Sequence, residues 1–267
     1  MHIDSANLNN LTQLWRRYGA RLLYEDDQLQ LRENISWPNR VWADMARPVS
    51  GRSLEQTAKN APDATLFPLW PAMTEDGSAA PQVTVDTLVR QSRDWQPAVQ
   101  HTAMALQLDK QLPVNTQTVA RYPIHIKCLS GDTDIAAWVA TGSKAFGYTI
   151  DANVIVPLLA CEDTQILLAY NEDSQPVATG LLFKTGDAVG IHQIGVPADH
   201  QGKGYATQMM RFLIQCAEKW QADYVFLQAS EAGRPVYQKL GFVDQFLITY
   251  LQRVMTSKLP EIGRITG

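Results

Sequence analysis

The stretch Ile194-Gly-Val-Pro-Ala-Asp-His-Gln-Gly-Lys-Gly-Tyr-Ala206 predicts a strand that ends in a glycine-bearing turn and opens a helix. Gly202 and Gly204 permit positive φ angles and let a ligand come close to main-chain N–H groups. A Gly-x-Gly pair also occurs in ordinary tight connections between a strand and a helix. The turn by itself therefore allows two interpretations, a plain connection or a binding loop.

The residues after the turn favour the binding loop. Met209, Leu213, Cys216 and Trp220 are four, three and four residues apart, which places them on one face of a helix. The first N–H groups of a helix lack internal acceptors and carry a partial positive charge, so an anion is stabilised there. Lys203 adds a full positive charge beside these groups. The turn is therefore a candidate site for a pyrophosphate.

The strand before the turn changes its side-chain alternation near Gln193. Val189 and Ile191 share one parity, whereas Ile194 and Val196 share the other. A slip of one residue turns side chains to the opposite face, and a β-bulge is the usual cause. The alternative is an irregular strand in which Gln193 is simply a polar residue.

A second motif follows downstream. Residues 223–228 have the composition of a short buried strand, and Ser230 is a suitable N-cap for a helix that ends at Gly241. Together, Gln201-Gly-Lys-Gly-Tyr-Ala206 and Tyr237-Gln-Lys-Leu-Gly-Phe242 resemble the two signatures of the GNAT superfamily of N-acetyltransferases, Gln/Arg-x-x-Gly-x-Gly/Ala and Tyr-x-x-x-Gly-Phe. The resemblance covers roughly residues 118–254.

The resemblance implies an α/β (α+β) GNAT fold with a mixed, centrally bulged sheet flanked by helices. We assign the GNAT acetyltransferase domain to residues 118–267. Periodicity within it predicts strands at 120–129, 164–170, 177–184, 188–196 and 242–254, and helices at 132–146 and 151–161.

The resemblance also implies acetyl-CoA as co-substrate and assigns its contacts. The bulged strand would bind the pantetheine arm through the backbone of Ile194, Gly195 and Val196. The turn and the helix start would bind the pyrophosphate, largely through main-chain N–H groups; the residues are Gln201, Gly202, Lys203, Gly204, Tyr205 and Ala206.

Two side chains are candidates for the chemistry. Acetyl transfer to an amine needs a base for the ammonium, whose pKa is about 10, and an acid for the departing thiolate. His192 lies two residues before Ile194, a position from which some family members draw their base; water or a carboxylate is the alternative. Tyr237 matches the family tyrosine that can protonate the thiolate, and its alternative is a packing role.

Residues 1–117 form a predicted smaller N-terminal α/β domain outside the resemblance. Leu8, Leu11, Leu14, Trp15 and Tyr18 predict a helix that stops at Gly19, and short strands are predicted at 21–24, 28–32 and 40–43. This order of elements suggests the hypothesis of a degenerate GNAT-like half. Four tryptophans could line a cleft or fill a core, and core filling is favoured: Trp37, Trp42, Trp70 and Trp95.

Composition limits the partners. The chain of 267 residues has a net charge of −4, which argues against general nucleic-acid binding. We expect no membrane association and a cytoplasmic location, because neither a signal peptide near Met1 nor a long apolar run is found. No histidines or cysteines have metal-ligand spacing, so no metal is expected.

Two functions are compatible with these features. The first is an N-acetyltransferase that moves acetyl from acetyl-CoA to a primary amine, a small molecule or a peptide, by direct attack. The second is a catalytically silent acyl-CoA-binding sensor or interaction module. The identity of the acceptor stays open, and so does the choice between a monomer and a homodimer.

Overall fold

The computed structural model describes residues 2–43, 51–62, 65–74, 76–79, 95–108 and 121–253. Its strands are β1 Arg21–Glu25, β2 Gln30–Glu33, β3 Val41–Ala43, β4 Leu66–Leu69, β5 Trp95–Gln107, β6 His125–Cys128, β7 Thr164–Tyr170, β8 Pro176–Thr185, β9 Ala188–Gly195, β10 Tyr224–Ser230 and β11 Val243–Arg253. Its α-helices are α1 Ile3–Arg17, α2 Gly51–Asn60, α3 Asp132–Phe146, α4 Ala152–Ile155, α5 Tyr205–Lys219 and α6 Arg234–Lys239. Two 3-10 helices follow α4 and β9, at Val156–Ala160 and Ala198–His200.

A mixed sheet with the strand order β4-β11-β5-β10-β9-β8-β7-β6 organises the described chain. β9 and β10 pair in parallel, whereas their neighbours pair antiparallel. Helices pack on both faces of this sheet. The predicted fold, a mixed and centrally bulged sheet flanked by helices, is confirmed.

β5 joins the two parts of the chain. It lies between β10 and β11 and pairs with both along most of its length. β5 precedes residue 117, whereas β10 and β11 follow residue 118. The proposed boundary between residues 1–117 and 118–267 lies outside the described residues, and the division stays a prediction.

The two faces of the sheet carry different helices. On one face, apolar side chains of α5 and α6 pack against β8, β9 and β10, with Met209, Leu213 and Ile214 fully buried. On the other face, α1 and α3 cover the same strands through Leu8, Trp15 and Trp138. Burying a large apolar side chain contributes roughly 1.5–3 kcal/mol, so both layers stabilise the sheet. The helix α1 of the N-terminal part thus contributes directly to the core beneath the GNAT motifs.

A small antiparallel sheet, β1-β2-β3, follows α1 and confirms the three short strands predicted there. The four tryptophans predicted to line a cleft or fill a core are buried, with exposed fractions of 7% for Trp37, 1% for Trp42, 7% for Trp70 and 2% for Trp95. Trp15 packs edge-on against Trp42, with their ring centroids 5.2 Å apart. Core filling, the favoured alternative, describes all four side chains.

Candidate active site

β9 and β10 separate part-way along their length. Their parallel register runs from Tyr224 opposite Ala188 to Phe226 opposite Gly190 and ends there. Beyond it β9 continues beside β8, and β10 continues beside β5. We call the space between residues 191–195 and 227–230 the strand opening. Backbone groups that line such an opening lack a partner strand and can bind an extended ligand.

A β-bulge at Gln193 produces this separation. Thr179 pairs with Gly195 and Leu181 pairs with His192, so β9 holds one extra residue. Gln193 has φ +54°, and its carbonyl accepts a hydrogen bond of 2.8 Å from the Thr179 hydroxyl. The bulge predicted from the change in alternation is therefore present, and it turns His192 and Ile194 to opposite faces.

Gly195 occupies a crowded position at the end of β9. A Cβ placed on it would lie 2.9 Å from the Ala145 Cβ and 2.9 Å from the Thr179 hydroxyl. Contacts this short exclude any larger residue, so glycine lets α3 pack closely against the bulged strand. Packing by itself therefore explains a glycine at this position, whatever contact its backbone makes with a cofactor.

The glycine turn lies at the start of α5. Gly202 and Gly204 have φ +76° and +80°, and a Cβ on either would meet no atom of the described residues within 4 Å. Their conformation, rather than crowding, requires glycine. The space above them is open, and the first N–H groups of α5 at Tyr205 and Ala206 face the helix start without intrahelical acceptors. This geometry suits an anion.

Polar side chains hold the turn in place. The Gln201 side chain donates a hydrogen bond of 3.0 Å to the Val196 carbonyl, which links the turn to the end of β9. Lys144 on α3 forms an ion pair of 2.8 Å with Asp199. The Tyr205 side chain is buried, whereas Lys203 is partly exposed. Ile194, Val196 and the turn residues thus form one continuous segment along the strand opening.

Tyr237 lies on α6 and packs into the apolar layer between α6 and the sheet. Its ring contacts Phe242 edge-on, with centroids 6.1 Å apart. Burial raises the pKa of its phenol to about 12. The hydroxyl therefore stays protonated at neutral pH, as a proton donor must.

His192 faces α1 on the opposite side of the sheet. Its Nε2 lies 2.9 Å from the Asn10 Oδ1. The Asn10 amide nitrogen donates to the Phe183 carbonyl and to the Thr185 hydroxyl, both at 2.9 Å, which fixes the orientation of the amide. Since Oδ1 only accepts, the Nε2 of His192 carries the proton in the neutral ring, and Nδ1 carries the lone pair.

The surroundings of His192 make it a weak base. Burial, with a smaller contribution from the positive charge of Arg40, lowers the pKa of His192 to about 3. At pH 7 the ring is neutral, but its protonated form is strongly disfavoured. In this conformation a catalytic role for His192 would require that its environment change when ligands bind.

Asn7, like Asn10, is a polar residue of α1 that forms buried hydrogen bonds with the sheet near the strand opening. It accepts a hydrogen bond of 2.7 Å from Gln228 on β10 and donates one of 3.1 Å to the Met104 carbonyl on β5. Asn7 and Asn10 are fully buried and lie one helical turn apart. Sequence reasoning missed both. Asparagine is a poor helix former, so its presence between apolar positions of a helix was the available signal.

The structure thus brings the strand opening and the glycine turn together, but it separates the two side-chain candidates. Tyr237 belongs to the α5 and α6 face, and His192 to the α1 and α3 face. Across the described ranges, no group of three or more potential metal ligands is found. No helix within the described part of the chain is long and apolar enough to cross a membrane.

Comparison with known proteins identifies the domain that contains this site. Residues 138–242 match the model of the Acetyltransferase (GNAT) family. The matched segment spans α3 to the end of the Tyr237 motif and includes the bulge and the glycine turn. No match was found among curated proteins.

Solved structures resemble the chain over more than the matched segment. A GCN5-related N-acetyltransferase from Kribbella flavida superposes with a TM-score of 0.65 at 17% identity, over 95% of this chain and 96% of that one. One from Sphaerobacter thermophilus gives 0.61 at 14% identity, over 85% and 76%. A tandem GNAT protein from the clavulanic acid biosynthesis pathway gives 0.55 at 11% identity, over 84% and 78%. At these identities the likeness establishes the fold alone.

Proposed function

We propose, from the premise that residues 138–242 form a GNAT acetyltransferase domain, that this protein transfers the acetyl group of acetyl-CoA to a primary amine. Family and fold support acyl transfer in general, and the acetyl donor and the amine acceptor are our proposal. The observation that carries it is the combination of a strand opening with an open glycine turn at the start of α5. The turn would bind the pyrophosphate, and the opening would receive the pantetheine arm.

The reaction would proceed by direct attack. The amine nitrogen, after losing a proton, adds to the thioester carbonyl carbon. The C–S bond then breaks, the nitrogen loses its second proton to the base as the amide forms, and the thiolate of CoA takes up a proton. We assign the last proton to the Tyr237 hydroxyl, because burial keeps this phenol protonated. The base is His192, a carboxylate or water.

A release assay for free thiol tests this function. The protein is incubated with acetyl-CoA and a panel of primary amines, and amine-dependent release above slow hydrolysis is the expected result. Tyr237→Phe should slow turnover by about 10²-fold, at the lower end of acid–base effects, with unchanged acetyl-CoA affinity. Tyr224→Phe, which changes a tyrosine at the far end of β10, is the matched control.

The competing function is an acyl-CoA-binding sensor without turnover. The low basicity of His192 favours it, because a catalytic base is then lacking unless water or a carboxylate serves. Tight acetyl-CoA binding by calorimetry, with no thiol release from any amine, would establish this alternative. His192→Gln separates the candidate bases: turnover that is slower by about 10²-fold or more identifies the histidine, whereas a rate near that of the wild type identifies water or a carboxylate.

A further inference from the structure

A cluster of aromatic and titratable side chains surrounds Arg40 on the α1 face of the sheet. The Arg40 guanidinium carbon lies 4.8 Å from the Trp15 ring centroid and 5.2 Å from that of Tyr250. Its positive charge also favours a lower pKa at four titratable side chains that lie in separate segments of the chain. We define the Arg40 cluster as Tyr18, Arg40, His101, Tyr148 and Tyr250.

Two polar atoms of this cluster have no hydrogen-bond partner among the residues that the structure describes. They are the Nε of Arg40 and the hydroxyl of Tyr18, and both are buried. For the Arg40 side chain, no ion pair with a carboxylate is found among the described residues. Buried polar groups are normally paired, because an unpaired one has lost its hydrogen bonds to water without gaining others. Two such groups in one cluster point to a missing binding partner.

The backbone holds Arg40 firmly in this place. Its carbonyl accepts a hydrogen bond of 2.9 Å from the Asn34 N–H, and the residue bridges to Leu66. Asn34 in turn donates a hydrogen bond of 2.9 Å from its side chain to the Trp15 carbonyl at the end of α1. The guanidinium is thus positioned before any ligand arrives.

The cluster lies beside the candidate active site and reaches the surface. His101 of the cluster pairs on β5 with Ser230 of β10, which lines the strand opening, and its ring centroid lies 5.3 Å from that of Tyr250. Tyr148, in the loop after α3, is 46% exposed and stacks on Phe146 at a centroid distance of 5.5 Å. The partly exposed side chain of Tyr148 thus connects the cluster to the surface on this side of the sheet.

We propose that the Arg40 cluster binds an oxyanion of the acceptor, so that the acceptor is an amine that also carries a carboxylate or a phosphate. This inference rests on the proposed acetyl transfer. A planar guanidinium binds carboxylates and phosphates through two parallel hydrogen bonds, and the Tyr18 hydroxyl can donate a third. The rings of Trp15 and Tyr250 lie against the guanidinium, and its Nε–H has no acceptor among the described residues.

The test compares matched amines with and without the anionic group. The pairs are phenylalanine and phenethylamine, lysine and cadaverine, and O-phosphoethanolamine and ethanolamine, each assayed for kcat/KM by thiol release. We expect the anionic member of at least one pair to be preferred by roughly 10-fold or more, as charged hydrogen bonds allow. Preference within the first two pairs identifies a carboxylate, and preference within the third identifies a phosphate.

Three variants test whether the preference for the anionic amine depends on the Arg40 cluster. Arg40→Gln should abolish it, Arg40→Lys should reduce it, and Tyr18→Phe should weaken it by a few-fold, all with an unchanged KM for acetyl-CoA. Arg17→Gln is the control, because Arg17 pairs with Asp163 at the surface and its replacement changes the net charge equally. Since Tyr18→Phe removes a single hydroxyl, it keeps the test valid if Arg40→Gln fails to fold.

The outcomes separate this inference from the proposed function. Equal kcat/KM within all three pairs, or a preference that survives Arg40→Gln, would overturn the anion site while leaving acetyl transfer intact. If no amine is acetylated, acetyl transfer itself fails, and calorimetry with the same six amines then decides. Binding of an anionic member that Arg40→Gln removes would still support the site, and the absence of such binding would overturn it.

Discussion

At the strand opening, the two faces of the sheet are held by different interactions, apolar packing on one and buried hydrogen bonds on the other. The α5 face is apolar and adaptable: Met209, Leu213 and Ile194 fill the space against Gly180. The α1 face is polar and specific, since Asn7 and Asn10 form defined hydrogen bonds with β5, β8, β9 and β10. An apolar layer can repack after a substitution, whereas a buried polar network tolerates little displacement. The comparison teaches that the α1 face sets the geometry of the opening.

The largest effect expected from this difference concerns the glycines under each helix. A Cβ on Gly190 would collide with the Asn10 Oδ1 and with the His192 Nε2. Gly190→Ala should therefore lower the free energy of unfolding by about 3 kcal/mol or more, as overpacking does. On the other face, Gly180→Ala meets flexible side chains at 3.1–3.3 Å and should cost clearly less. Urea unfolding of both variants measures the contrast; equal losses would refute it.

Isosteric changes of the helices test the same contrast more gently. Asn10→Leu removes the hydrogen bonds to Phe183, Thr185 and His192 and leaves the buried Nε2–H of His192 without this acceptor, which should cost about 2–3 kcal/mol. Met209→Leu keeps volume and polarity on the α5 face, and its cost should stay below about 1.5 kcal/mol. Chemical denaturation measures the free energy of unfolding of both variants. A smaller loss for Asn10→Leu than for Met209→Leu would mean that these hydrogen bonds do not stabilise the packing of α1.

The pH dependence of the free energy of unfolding should reflect the buried histidines on the α1 face. Burial lowers the pKa of His192 to about 3 and that of His101 to about 4. Between these values and the unfolded value of about 6.5, the unfolded chain binds more protons, so stability falls as pH decreases through this window. Each histidine contributes a slope of up to about 1.4 kcal/mol per pH unit.

Unfolding curves measured between about pH 7 and pH 4.5 give this slope. His192→Gln should flatten it, whereas His125→Gln, a change at an exposed position on β6, should leave it as in the wild type. A slope that His192→Gln does not alter would mean that this ring is hydrated in solution.

The smallest effects on stability are expected at the glycine turn, where function should respond instead. Gly204 has φ +80° and Gly147, at the end of α3, has φ +75°, and a Cβ on either meets no atom within 4 Å in the part of the chain that the structure describes. Alanine at each should cost about 1 kcal/mol of stability because of backbone strain alone. Under the proposed function, Gly204→Ala should also weaken acetyl-CoA binding by about 10-fold, since its methyl group enters the anion site.

Gly147→Ala is the matched control for this prediction and should bind acetyl-CoA as the wild type does. Calorimetry of both variants provides the measurement. Equal affinities would mean that the turn is only a connection between strand and helix, the plain interpretation of its Gly-x-Gly pattern.

The sequence by itself determined the local elements of this protein. The change of alternation at Gln193, the glycines of the turn and the Tyr237 motif indicated the bulge, the start of α5 and the GNAT domain, because each reflects backbone geometry within a few residues. The helix and strands of the N-terminal part were found in the same way. Such signals lie within one segment, where periodicity and turn chemistry act directly.

Only the tertiary structure decided which segments meet. The insertion of β5 between β10 and β11 joins segments that lie far apart along the chain, and no local pattern specifies such a pairing. The same holds for the hydrogen bond between Asn10 and His192 and for the contacts of Arg40 with the rings of Trp15 and Tyr250. These contacts determine the basicity of His192 and the chemistry of the α1 face, because burial and charge at a site depend on everything that packs around it.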